Sequence, residues 1–365
     1  MAEIRVDTLH KSFGTFTAVK SSSFVVEDGE FFVMLGPSGC GKTTTLRMIA
    51  GLELPTSGAI VLGGEDVTFK RAADRDIAFV FQLFALYPHM NVRQNIGFPL
   101  KCVGMSRSQI RARVEEAARI LRITDILDKP VSGLSGGDRQ RVALGRAIVR
   151  EPMCFLMDEP LGALDSEFRT LMCHELRGLH DRLEATTVYV THDQLEAMAM
   201  ADKIAVMNHG VIEQFGPPQE IYDHPATMFV ADFIGSPPMN FLTFRGALAP
   251  GQAAIRLGDA EVGVPALREA RAEADLALGV RPEHVRLVDD GGVRGEVLAS
   301  EYLGTTQIVT IRTAHGDLKA RIASTNVVAP GETVGLGFEA ARLSLFDRSD
   351  GGAVRSALYE GGGRG

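Results

Sequence analysis

Phe31 to Leu35 are five apolar residues in a row, Phe-Phe-Val-Met-Leu, and a glycine-rich turn follows at once. So short a run, ended by turn residues, predicts a strand buried on both faces, as parallel sheets require. Runs of the same kind recur at 77–81, 153–157, 187–190 and 204–207. Between them the apolar period lengthens to that of helices. Ile110, Val114, Ala117, Ala118 and Leu121 fall on one helical face, as do Phe168, Leu171, Met172, Leu176, Leu179 and Leu183. Strands alternating with helices predict an α/β domain with a parallel sheet and ligands at the carboxyl ends of its strands. The stretch from about 86 to 150 holds more helix than strand, which predicts an inserted helical subdomain. Past Gly235-Ser236-Pro237-Pro238 the texture changes to short alternating segments such as 307–312 and 333–338, broken by Gly, Asp and Pro. These predict a small all-β barrel or sandwich. The expected domains are thus 1–235 and 236–350, with 351–365 as a disordered tail.

Length and composition narrow the class. The 365 residues suffice for two domains, and a 45% hydrophobic content supports a large core. No run approaches 18 consecutive apolar residues, and the opening MAEIRVDTLHK lacks the apolar stretch of a secretory leader. The expected location is therefore cytoplasmic. Cys40, Cys102, Cys154 and Cys173 have neither disulfide-framework nor zinc-site spacing. A net charge of −8 disfavours nucleic acid and anionic membrane as direct partners.

The candidate chemistry lies at the strand ends. Gly36-Pro37-Ser38-Gly39-Cys40-Gly41-Lys42-Thr43 fits the phosphate-loop pattern and stands between a predicted strand and a predicted helix. Its glycines let backbone N–H groups wrap phosphates at a helix N-terminus. Lys42 is expected to reach the β- and γ-phosphates, and the Thr43 hydroxyl to ligate Mg²⁺. A chance match in a chain of this length is on the order of one in a hundred. Met157-Asp158-Glu159 ends another strand in two carboxylates, the Asp placed to hold Mg²⁺ and the Glu to polarise the attacking water. Taken alone, such a pair is more often a helix cap. Ser135-Gly136-Gly137 opens a helix and offers a second anion-binding terminus, or else a plain Ser N-cap. A second phosphate site in a chain with one phosphate loop makes sense if it closes over a nucleotide held by another copy. Gln82 and His192 each follow a predicted strand and so lie on the ligand edge, although either alone reads as a loop residue. The absence of an Asn-Lys-x-Asp motif leans the nucleotide toward ATP.

In this order, these elements resemble the ATP-binding subunits of ABC transporters, the signature stretch Leu134-Ser135-Gly136-Gly137-Asp138-Arg139-Gln140-Arg141 most specifically. The fold this implies is a P-loop NTPase, a RecA-like parallel sheet with a β edge and a helical subdomain, followed by an OB-like β-barrel regulatory domain. The resemblance further implies a head-to-tail dimer with two ATPs at its interface, each between one copy's phosphate loop, with Thr44, and the other copy's Ser135 to Gly137. It implies that Phe13 stacks on adenine, that Gln82 senses Mg²⁺, that His192 contacts the γ-phosphate, and that Leu161 to Asp165 couple the two sites. The segments 81–90 and 233–242, with Gly279-Val280-Arg281-Pro282-Glu283-His284, are similar to the carbohydrate-importer branch, which serves maltose, trehalose and glycerol 3-phosphate. Two membrane-spanning permease subunits, an extracytoplasmic solute-binding protein and a regulator at the C-terminal domain are the partners implied, at the cytoplasmic face of the inner membrane. Importers of polyamine, sulfate or metal are the alternative cargo class. An ABC ATPase acting on nucleic acid or ribosomes is a remoter one, disfavoured by the acidic balance and by the lack of long coiled coils or a second cassette. Two departures from the pattern stand out. Asp138 stands where Gln is usual and is expected to cost little activity, while Gly162-Ala163 puts the strength of coupling between sites in question.

Overall fold

The computed structural model describes residues 2–82, 84–150, 152–162, 164–289 and 292–360. The chain separates into two compact units, Met1–Pro218 and Gln219–Gly365.

In the first unit, β1 (Ile4–Phe13), β2 (Phe16–Val26), β3 (Phe31–Leu35), β4 (Ser57–Leu62), β5 (Glu65–Asp66), β6 (Ile77–Val80), β7 (Cys154–Asp158), β8 (Thr186–Thr191), β9 (Lys203–Asn208) and β10 (Val211–Gly216) form two sheets. One is antiparallel, in the order β2-β1-β4-β5; the other runs β10-β9-β3-β8-β7-β6. In the second sheet β9, β3, β8, β7 and β6 are parallel, and only β10 turns back, antiparallel to β9. Every residue of β3, β7 and β8 is buried, because layers cover both faces of these central strands. The five strands expected from apolar runs are β3, β6, β7, β8 and β9. Phe24 stacks on Phe32 at 5.1 Å between centroids, tying the two sheets into one core.

The helices are α1 (Lys42–Ile49), α2 (Val92–Cys102), α3 (Arg107–Ile120), α4 (Gly136–Ile148), α5 (Ser166–Leu183) and α6 (Gln194–Met200). Capping boxes start α2 at Asn91 and α3 at Ser106. The face expected of α3 is inward, with Val114, Ala117 and Ala118 buried. On α5 the buried stripe is rotated from the expected one. Leu171 is 47% exposed, while Cys173 and His180 join Met172, Leu176 and Leu179 inside. Leu171 lies roughly 140° from the centre of that stripe, so helical geometry turns it toward solvent. Far from the glycine turn, buried Arg75 donates to the Met48 and Ile49 carbonyls at 2.7 and 2.8 Å, satisfying the last turn of α1.

The second unit opens on α7 (Pro218–Asp223) and α8 (Met228–Phe233) and continues as β11 (Asn240–Leu248), β12 (Ala254–Leu257), β13 (Ala260–Gly263), β14 (Arg271–Val280), β15 (Val285–Val288), β16 (Val293–Tyr302), β17 (Thr306–Thr313), β18 (Gly316–Ala323), β19 (Thr333–Phe338) and β20 (Ser344–Asp347). They pair antiparallel in the orders β11-β14-β20, β12-β13 and β15-β19-β16-β17-β18 around a large apolar core and a smaller cluster of Ala231, Met239, Ala277 and Phe346. Residues 219–235, placed by sequence in the first domain, pack within this unit. The reason is the buried Arg281 guanidinium, which donates to the Tyr222, Ala231 and Ile234 carbonyls. The tail expected from 351 onward also packs through residue 360. Val354 is fully buried, its N–H donating to Leu345 O, and the Ala357 N–H bonds to Ala266 O. The remainder, 361–365, lies outside the described residues.

Candidate functional site

The turn after β3 is wedged between neighbouring backbone. A methyl on Gly36 would meet the Met207 carbonyl oxygen at 2.2 Å, and one on Gly41 the Ala18 carbonyl oxygen at 2.5 Å. Gly39 and Gly41 also hold φ of +80° and +109°, which side chains rarely adopt. Glycine is therefore required at 36 and 41 by space and at 39 and 41 by conformation. Gly41 caps α1 without a side-chain bond, so the first N–H groups of the helix stay open to an anion. Ser38 and Gly39 are exposed, and Pro37 and Thr44 are half-buried. Lys42 is 4% exposed and curls over the loop, donating to Gly36 O at 2.7 Å and Pro37 O at 2.9 Å. Its charge thus lies within the concavity. Beside it, burial pushes the Cys40 thiol up, against the pull of Lys42.

Strand β7 delivers the carboxylates. Asp158 is 6% exposed, and its Oδ1 accepts from the Thr43 hydroxyl at 2.8 Å. Burial raises its pKa above the usual carboxylate range, the Thr43 bond and the Arg47 and Lys42 charges opposing. A hydroxyl and a carboxylate oxygen side by side, the latter short of compensating charge, fit a hard divalent cation, which takes oxygen donors and relieves that burial cost. Among the described residues no cluster of three or more His, Cys, Asp or Glu suits a metal. One carboxylate and one hydroxyl are a donor set that a divalent cation completes with substrate phosphates.

Glu159, next along, has φ of +44°, a strained value for a non-glycine residue. Its N–H is held by Val190 O at 3.0 Å. Its Oε2 lies 3.2 Å from His192 Nδ1 and accepts from Gln82 Nε2 at 3.4 Å. Gln82 follows β6 and His192 follows β8, so three adjacent strand ends bring Gln82, Glu159 and His192 together. Gln82, expected to sense Mg²⁺, has its amide against the Glu159 carboxylate.

Elsewhere, Ser135 N-caps α4, accepting from Asp138 N at 3.1 Å. Its hydroxyl donates to Asp138 Oδ2 at 2.8 Å. Asp138 thus touches the signature serine directly instead of merely flanking it. Gly137 is buried against Phe168, where a methyl would sit 2.0 Å from ring carbon Cε1. Asp165 caps α5 through Phe168 N at 2.9 Å. Ala163 of the coupling loop lies outside the described residues. Phe13 is 47% exposed at the end of β1, with the Lys11 ammonium 4.6 Å from its ring centroid. Sequence reasoning missed Arg169 and Asp193, which bond at 2.8 Å behind His192. Their only signal was position, four residues after Asp165 and one after His192.

Comparison with known proteins agrees with this geometry. The ABC transporter family profile matches residues 19–162, the MalK OB fold domain 235–285 and the TOBE domain 278–346. The trehalose/maltose import ATP-binding protein of Thermococcus litoralis is 46% identical, over 97% of this chain and 100% of its own length. The sn-glycerol-3-phosphate import ATP-binding protein of Ruegeria pomeroyi is 48% identical over 91% of each chain. The trehalose import ATP-binding protein of Mycobacterium tuberculosis is 45% identical, over 96% of this chain and 98% of its own. Among solved structures, cbiO1 of Clostridium perfringens, part of the cbiONQ ABC transporter complex, superposes with a TM-score of 0.57 at 28% identity, over 60% of this chain and 89% of its own. The protein belongs to the ATP-binding subunits of ABC transporters. Its second unit, with MalK-type OB fold and TOBE matches, sets it among the sugar-importer members of that family.

Proposed function

We propose that the chain hydrolyses ATP to power import of a carbohydrate or related solute, such as a disaccharide, polyol or glycerol phosphate, through separate membrane subunits. The observation that carries this reading is the convergence of Gln82, Glu159 and His192 beside the Thr43–Asp158 pair and Lys42. ATP lies with its phosphates along 36–44 and its adenine on Phe13. Thr43 and Asp158, with Gln82, would hold Mg²⁺, which would supply charge neutralisation on the phosphate oxygens. Glu159 orients a water and takes its proton as the water oxygen bonds to the γ-phosphorus and the bridge to ADP breaks. His192, fixed through Nδ1 by Glu159, presents its other face to the transferred γ-phosphoryl group, and Lys42 stabilises charge on the β- and γ-phosphates. Two copies pair head to tail, so that Ser135 to Gly137 of one complete the site of the other, with Asp165 at the junction.

The partners in this reading are two permease subunits, reached through the surface around 82–90, and indirectly an extracytoplasmic solute-binding protein. A regulator would bind the second unit. No helix among the described residues is long and apolar enough to cross a membrane, which supports a peripheral place at the cytoplasmic face. The cargoes for which these relatives are named, trehalose, maltose and glycerol 3-phosphate, support the solute class. The test is co-purification of the tagged chain in mild detergent, then ATPase assays in lipid with the co-purified binding protein and candidate solutes. Two membrane subunits and sugar-stimulated turnover are expected. Stimulation by polyamine, sulfate or metal overturns the cargo assignment, and ribosomal or DNA partners overturn transport.

A further inference from the structure

Arg169 sits in the first turn of α5, half-buried, with both terminal guanidinium nitrogens hydrogen-bonded and its Nε buried without a hydrogen-bond partner. Nη1 donates to Asp193 Oδ2 at 2.8 Å and Nη2 to the Leu164 carbonyl at 2.8 Å, while Nε lies 3.5 Å from Glu196 Oε1. Both flanks of His192 are thereby fixed. On one side Asp193 uses its other oxygen to cap α6 through Leu195 N at 2.8 Å. On the other, the Thr191 hydroxyl donates to Glu196 Oε2 at 2.7 Å and accepts from Asp193 N at 3.0 Å. Glu196 is 3% exposed and also receives the Tyr189 hydroxyl at 2.7 Å.

The second arm reaches the other half of the machinery. Leu164 ends the 161–165 loop, and its side chain lies where a methyl on Gly136 would touch it at 3.6 Å. Phe168, one residue before Arg169, packs on Gly137 and under the Arg141 guanidinium at 5.9 Å. One side chain thus joins the histidine that acts on a copy's own nucleotide to the loop and helix terminus that complete its neighbour's site.

We propose that Arg169 is a positioning residue that locks the His192 segment to the 161–165 loop, so that the two ATP sites of the dimer fire in concert. The proposal rests on the hydrolytic dimer described under Proposed function. A planar guanidinium spans a carboxylate and a carbonyl at once; a lysine ammonium is a point charge and cannot hold both in the same geometry. Asp193 is the matching partner, and its loss releases the same clamp from the other side.

The test uses the full-length chain, with ATP and Mg²⁺ as probes, and reads kcat, KM, the Hill coefficient and Tm for Arg169→Ala, Arg169→Lys, Asp193→Asn and the Arg169→Ala/Asp193→Asn pair. The expected result is a kcat lowered at least tenfold with KM changed less than about twofold, and a Hill coefficient falling toward one. The lysine variant should recover kcat in part but not cooperativity, and the double variant should be no worse than the worse single one. ATP-driven association in a Glu159→Gln background supplies a readout independent of turnover. It should need more ATP and lose its steepness when Arg169 is also Ala. Unchanged kcat and cooperativity overturn the proposal, as does a loss that follows Tm and KM alone, which would make Arg169 merely structural. If Glu159→Gln itself leaves turnover intact, the hydrolytic reading fails instead, so the two failures are distinct.

Discussion

Gly137→Ala is a small change with a calculable effect. The new methyl would stand 2.0 Å from Cε1 and 2.2 Å from Cζ of Phe168. Carbon atoms rest about 3.5–4.0 Å apart at contact, so the ring must retreat by roughly 1.5–2 Å. It is not free to do so, since Phe168 stands in the first turn of α5 with the Arg141 guanidinium over its face. Overpacking of this kind costs about 1–3 kcal/mol. Replacing a helical glycine by alanine returns at most ~1 kcal/mol, and less in the first turn. The expected net loss is about 1–2 kcal/mol, which lowers Tm by roughly 2–4 °C per kcal/mol in a domain of this size. Turnover should fall further, by about tenfold, because any relief by moving α4 also moves the Ser135 and Gly136 groups offered to phosphate. Thermal unfolding and steady-state ATPase measure the two effects. The decisive variant is Gly137→Ala/Phe168→Leu, in which the shorter side chain vacates the collision. Its stability should exceed the sum of the single effects by about 1 kcal/mol or more. A strictly additive double variant, or a Gly137→Ala protein as stable and active as its parent, refutes the steric reasoning.

Glu159→Gln should remove most turnover while ATP binding, read by equilibrium dialysis, stays within a few-fold, because the amide cannot take the water's proton. Asp158 holds its proton more tightly folded than unfolded, so the stability it contributes is present in acid and is lost as pH rises through its raised pKa. Asp158→Asn should accordingly raise the Tm of the nucleotide-free chain at neutral pH, flatten that loss between acid and neutral pH, and abolish Mg²⁺-dependent ATP binding. Asp138→Asn removes a carboxylate from the Ser135 hydroxyl. ATP-driven dimerisation, followed by light scattering, should then need about two- to fivefold less ATP, the worth of one partly screened like charge (~0.5–1 kcal/mol). Burial pushes the Cys154 and Cys173 thiols up to about 12, and Cys40 is buried, whereas Cys102 is exposed. Mild alkylation of the native chain should therefore label Cys102 and leave ATPase activity intact, as peptide mapping would show.

The strands that carry the site were legible because they are central. A strand buried on both faces writes a continuous apolar run, as Phe31 to Leu35 does, and the residues after it are then placed on the ligand edge. The antiparallel strands of the first sheet were not picked out, since β1 and β4 alternate and bulge, and a one-faced strand with irregular register looks like a loop. Leu171 illustrates a different limit, for apolar character alone does not say on which edge of a helix stripe a residue falls. The segment 219–235 went to the first domain because nothing local announces that Arg281, some fifty residues on, will hold its carbonyls. Lys42, Asp158, Glu159 and His192 stood out through strand-end position and motif. Arg169 and Asp193 did not, because their value lies in a bond between elements distant in the chain.

The wedged phosphate loop has a thermodynamic consequence. Gly36 and Gly41 lie against the Met207 and Ala18 carbonyls, so the loop's path is set by β9 and β2 before any nucleotide arrives. A ligand docking there orders little new chain, and little of its contact energy is spent on conformational entropy. Binding to one copy should therefore be quick and leave the loop's shape nearly unchanged. In the proposed dimer the large ordering events would be left to the encounter of two copies, so that the free energy of ATP is directed to moving whole subunits rather than to folding the pocket that holds it.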